Sequence, residues 1–160
     1  MGWRTWAVVV IVMLSGGTRA EAAPTGAYTW PLNPRPQVVR TFDKPAQNWL
    51  PGHRGIDLAG APGQVVLAAG AGIAVFVGTV GGKPVVSIDH DGGLRTTYEP
   101  VTATVVEGRR VERGSPIGVL EPGHPECAAA ACLHWGLRRD REYLDPLGLI
   151  RATPIRLKPV

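Results

Sequence analysis

From Gly60 to about Leu120 the chain is a series of short runs rich in Val, Ile and Thr, each ended by a glycine-bearing turn, and that rhythm demands β-structure. Segments 65–69, 73–80, 85–90, 94–99, 103–106 and 117–120 read as strands. Between them Gly70-Ala71-Gly72, Gly81-Gly82-Lys83 and Asp91-Gly92-Gly93 supply residues that tolerate the positive φ of tight reversals. A last strand is expected over 133–137. A charged turn, 138–142, follows it, and then a segment whose Leu147, Leu149 and Ile150 pack back onto the sheet. No stretch of ten residues carries the 3.6-residue apolar period of an amphipathic helix, and the alanine run 128–131 is too short to make one. The fold class is therefore all-β, an antiparallel sandwich or barrel-like core with long loops and little helix.

The two ends read differently. Residues 1–22 have a positive start, a short apolar run and small residues at Ala20 and Ala22, the pattern of a cleaved export signal. The apolar run is much shorter than the roughly 20 residues a membrane span needs. Residues 23–51 form a proline-rich lead-in in which 38–42 is the one strand, 52–151 the core, and 152–160 a loosely held tail. Seventeen Lys and Arg stand against 13 Asp and Glu, a formal charge of +4. Such a mild basic balance suits an anionic wall polymer. No basic run interleaved with aromatics points to nucleic acid. The two cysteines, Cys127 and Cys132, read as a disulfide in an exported protein. A loop that short contributes only about 2 kcal/mol by chain entropy.

Chemistry concentrates in two places. Gly52-His53-Arg54-Gly55-Ile56-Asp57 sets an imidazole and a carboxylate four residues apart in a loop that turns into a strand. In Cys132-Leu133-His134-Trp135-Gly136, strand alternation puts 132 and 134 on one face and 133 and 135 on the other. Alone, the first reads as a surface pair and the second as a packed histidine. Together, His53, Asp57 and His134 are two nitrogens and one carboxylate, a set zinc takes in catalytic sites that keep a fourth position for water. Cys132, on the face of His134, is either half of the disulfide or a fourth ligand that closes such a site.

The order of motifs resembles that of the lysostaphin and LytM-like metallopeptidases. Trp30-Pro31, then His53-Arg54-Gly55-Ile56-Asp57-Leu58-Ala59, the strand-and-turn series from Pro62 to Leu120 and finally Leu133-His134-Trp135-Gly136-Leu137 follow the family's arrangement over nearly all of residues 30–150. The resemblance implies one zinc ion held by His53, Asp57 and His134, peptidoglycan as the substrate, and a secreted, cell-wall or periplasmic location. A monomer is expected and, from the short apolar run, no membrane span after signal cleavage.

Two positions depart from the family. Active members have His-x-His where this chain has Cys132-Leu133-His134, and a Tyr-x-His-Leu segment where it has Tyr98-Glu99-Pro100-Val101. Both helper histidines are replaced, and no residue is assigned as catalytic. Substitutes are His124 first, then Glu99 and Cys132. His90 reads as a polar edge residue, and Arg95 and Tyr98 as a solvated strand face. Two functions follow: a zinc endopeptidase of peptidoglycan peptides or cross-links, and a non-catalytic relative that binds peptidoglycan or regulates a partner hydrolase. A biotinyl- or lipoyl-carrier, suggested by the run from Val111 to Leu120, is a third reading, and against it none of Lys44, Lys83 and Lys158 lies in a carrier-type hairpin.

Overall fold

The structure is a computed structural model that describes residues 26–123 and 127–150. The expected signal over 1–22, the tail over 152–160 and His124 lie outside the described residues. In chain order the strands are β1 (Val38–Arg40), β2 (Gly55–Gly60), β3 (Val65–Leu67), β4 (Gly72–Val80), β5 (Lys83–His90) and β6 (Leu94–Glu99). They continue with β7 (Val101–Ala103), β8 (Arg110–Val111), β9 (Pro116–Leu120), β10 (Ala131–Arg139) and β11 (Glu142–Leu144), and a single turn of helix, α1 (Leu147–Ile150), follows.

Every strand pairing is antiparallel. The larger sheet runs β1-β2-β10-β6-β5-β4-β8, with β11 added to β10, and the smaller runs β3-β9-β7. The two sheets do not close into a barrel. Their core joins Ile56, Leu58, Leu133 and Trp135 of the large sheet to Val66, Val101, Ile117 and Leu120 of the small one, all at most 1 % exposed. Leu133 and Trp135 thus take the buried face of β10, as alternation requires. Leu147, Leu149 and Ile150 pack against the edge of this core from α1. The β4–β5 reversal rests on Gly81 and Gly82, whose φ of 57° and 83° fit a two-residue hairpin turn.

Several expectations are corrected. The strand expected over 103–106 lies earlier, at Val101–Ala103, because its pairing to β9 begins at Val101 opposite Leu120. The charged segment 138–142 is not wholly a turn: β10 runs on to Arg139, and after Asp140 and Arg141 the chain returns as β11. β8 is held by its short ladder to Gly72 and Ile73 and by Val111, which is buried in the core.

His90 is no edge residue, and Tyr98 is not on a solvated face. Both are buried, Tyr98 completely. His90 Nδ1 donates to the Ala71 carbonyl at 2.8 Å, and its Nε2 is 2.7 Å from the Thr96 hydroxyl. The Thr96 hydroxyl is bonded in turn to Tyr98 Oη at 2.8 Å, and the Ala69 amide donates to that oxygen at 2.9 Å. Burial pushes the Tyr98 phenol up to about 12 and holds the His90 imidazole below its ordinary value.

Candidate metal centre

Asp57 sits mid-strand in β2, directly opposite His134 of β10. The two side chains therefore share a face of the large sheet. His53 arrives from the loop before β2, where its backbone pairs both ways with Asp43, at 2.8 and 3.0 Å. Its ring is oriented further: Nδ1 donates to the Thr41 carbonyl at 2.8 Å, which leaves Nε2 as a bare lone pair. That Nε2 is 3.0 Å from Asp57 Oδ1 and 3.1 Å from His134 Nδ1, and His134 Nδ1 is 2.9 Å from the same carboxylate oxygen. His53 and Asp57 are buried, while the His134 side chain keeps 21 % of its surface open.

These separations decide what the cluster fits. Ligand atoms around a tetrahedral zinc with bonds of about 2.0–2.1 Å lie about 3.3 Å apart. The three edges here fall a few tenths of an ångström short of that. Without a cation, the proton of one histidine satisfies Asp57. With one, all three lone pairs converge on a common point beside an accessible face. Among the described residues these three are the one group of His, Cys, Asp and Glu whose ligand atoms gather in this way.

Gly55 is the position whose role residue type alone hides. A Cβ there would stand 2.5 Å from the Trp135 carbonyl oxygen and 2.8 Å from His134 Nε2. Only glycine leaves room at this position for both the β10 backbone and the His134 ring. Arg54 beside it shapes the approach, donating to the carbonyls of Asn48 and Leu50 and resting 5.7 Å from the Tyr143 ring centre.

Cys132 is disulfide-bonded to Cys127 and buried, so its sulfur is not available as a fourth ligand. Glu99 lies directly opposite His134 on β6, and its carboxylate is 2.9 Å from Lys83 Nζ. Arg95 faces the same groove but is paired with Asp89 through two hydrogen bonds, which hold the Asp89 carboxyl below its usual range. The groove beside His134 has a volume of about 700 Å³ and runs from Arg54 and Tyr143 across to Phe76 and Val80.

Comparison with known proteins bears on the family and the fold. An uncharacterized protein of Mycobacterium tuberculosis is 58 % identical over 148 residues, which cover 90 % of this chain and 59 % of that protein. The chain thus spans about three-fifths of the length of the curated relatives it matches. Among solved structures, Csd3 of Helicobacter pylori superposes with a TM-score of 0.65 at 25 % identity, covering 84 % of this chain and 37 % of that one. A zinc-containing peptidase from Vibrio cholerae shares the fold at a TM-score of 0.61 and 21 % identity, covering 74 % of this chain and 38 % of that one. Residues 51–146, which hold all three gathered side chains, match the sequence profile of peptidase family M23, and the chain belongs to that family.

Proposed function

We propose that the protein is an exported, one-zinc member of its family that binds peptidoglycan peptides in the groove beside His134 and cleaves their amide bonds slowly. The observation that carries this is the convergence of His53 Nε2, Asp57 Oδ1 and His134 Nδ1 within hydrogen-bond distance of one another at the edge of an open groove. Zinc bound there supplies a Lewis acid for a peptide carbonyl and a water made acidic near neutrality.

The chain's own residues set the pace. His53 is fixed by the Thr41 carbonyl and Asp57 by its burial in β2, so two of the three ligands are preorganised. Among the described residues, neither replaced helper position offers a proton carrier. The Cys132 sulfur is consumed in the disulfide, and the Pro100 side chain neither donates nor accepts. Glu99 flanks His134, with its charge held by Lys83. A positioned acid or base contributes about 10²- to 10⁴-fold, and the loss of two helpers that act together is not the product of their separate losses.

The replaced helpers also favour a second reading, a groove that binds peptidoglycan without turnover. One experiment separates the two. Zinc-loaded protein incubated with purified sacculi releases peptide fragments, detected by liquid chromatography and mass spectrometry, and stops doing so on chelation. Retention on sacculi with no fragments over a long incubation assigns the non-catalytic role. Neither fragments nor retention overturns both.

A further inference from the structure

The groove floor is one face of the large sheet, and its registers arrange it in rows. The first row crosses Asp57, His134 and Glu99. The next holds Gly136 and Thr97 with Ser87, whose hydroxyl lies 3.2 Å from that of Thr97. The third places Arg138 opposite Arg95 and Arg95 opposite Asp89. The surface therefore passes from metal ligands through a small, neutral band to a charged one.

Two arginines directly opposite each other on one sheet face repel, an arrangement that costs stability. Asp89 hydrogen-bonds only one of them and acts on Arg138 by charge alone. Its carboxylate takes both hydrogen bonds from Arg95, just as Lys83 takes up Glu99 nearer the metal end. Arg138 is half-buried and lines the groove, and among the described residues Asp89 balances it through space without a hydrogen bond, so its guanidinium donors stay open to a ligand. A guanidinium is in general a permanent charge in proteins. Its planar fork of donors matches a carboxylate.

We propose that Arg138 is a specificity-determining residue that captures a free carboxylate of an acidic peptide whose amide lies at the His134 end of the groove. Arg138 lies four positions along β10 from His134, which puts the carboxylate about 13 Å from the amide along the strand direction. Gly136, Thr97 and Ser87 leave room for the peptide between them. The inference rests on the peptidoglycan-peptide reading above and narrows it, because a neutral glycine-only bridge offers nothing to Arg138, whereas a stem peptide with ionised side groups does.

The test is a binding measurement with the zinc-loaded full chain. Two synthetic stem peptides of one sequence, one with free carboxylates and one with those groups amidated, are titrated calorimetrically into wild type, Arg138→Gln, Arg138→Lys and Arg139→Gln. Arg139→Gln makes the same charge change at an exposed position of the neighbouring residue. Wild type and Arg139→Gln should prefer the free-carboxylate peptide by about 10-fold or more, as a charge-assisted hydrogen bond supplies. Arg138→Gln should bring the ratio to about one, with Arg138→Lys between. Equal binding of both peptides by wild type overturns the inference and leaves the peptidoglycan reading intact, as does a preference that survives in Arg138→Gln. If neither peptide binds and sacculi are not retained either, the broader reading falls and the inference with it.

Discussion

Two histidine clusters hang on opposite faces of the same sheet, and they differ in what their ring nitrogens have left to give. On the core side, His90 spends Nδ1 on the Ala71 carbonyl and Nε2 on Thr96, and the chain of bonds ends at the Ala69 amide by way of Tyr98. Every polar atom of that series has a partner in the protein. On the groove side, His53 spends Nδ1 on the Thr41 carbonyl, and its Nε2 meets Asp57 Oδ1 and His134 Nδ1, the other two atoms of the possible ligand set. Burial is similar, with His90 at 7 % and His53 at 6 %, so exposure does not tell the two apart. Saturation does: a satisfied network fixes the fold, whereas convergent acceptors need a cation to complete them.

The sharpest way to break this contrast is His134→Ala. Loss of an outer-shell partner costs about 10–100-fold in metal affinity, and loss of one of three direct ligands costs more than that. Zinc content after dialysis against a weak chelator, read by mass spectrometry, should fall from one ion per chain to a small fraction. The metal-free variant should melt close to the metal-free wild type, because His134 is part-exposed and its neighbours Leu133 and Trp135 hold the strand from the other face. Full zinc retention in His134→Ala would remove the metal assignment.

Tyr98→Phe probes the other cluster. It leaves the buried Ala69 amide without its acceptor and the Thr96 hydroxyl with one partner fewer, a cost of about 1–3 kcal/mol. Urea denaturation of the metal-free protein should show that loss while zinc stoichiometry stays at one. A Tyr98→Phe variant as stable as wild type would mean that the network is not what holds β6 to the turn before β4.

The two clusters were unequally legible in the sequence. His53, Asp57 and His134 stood out because their motif order resembles a known family, and strand alternation already gave His134 and Trp135 opposite faces. Alternation also separates Arg95 from Tyr98, an odd and an even position of one strand. Which face is the core depends on the second sheet, and nothing within 94–99 says where that sheet lies. His90 was missed for a related reason: at the end of β5, beside Asp91-Gly92-Gly93, its surroundings come from Tyr28 and Ala71, remote in sequence. The strands β8 and β11 are two and three residues long and exist through their partners, so no local pattern announces them. Arg138 falls in a run of charges that reads as a solvated turn, and only the register opposite Arg95 sets it apart.

The smallest expected effect is a pH dependence that belongs to the core cluster alone. Burial disfavours the charged His90 imidazole, and this outweighs the hydrogen bond to Ala71 and the nearby charges of Asp89 and Asp91, which favour it. A histidine whose folded value lies below its unfolded one, ordinarily 6.5, binds protons more readily in the unfolded chain. Its contribution to stability is therefore complete above about pH 6.5 and is lost as the pH falls from there through the folded value. For one proton the slope cannot exceed about 1.4 kcal/mol per pH unit. Denaturation of chelated wild type and His90→Gln between pH 7.5 and pH 5 isolates this term, because the two proteins differ only at residue 90. Wild type should lose stability faster on acidification, and parallel curves would show that the His90 proton is not linked to folding. That outcome would remove the distinction in protonation between the clusters and leave only the one in metal binding.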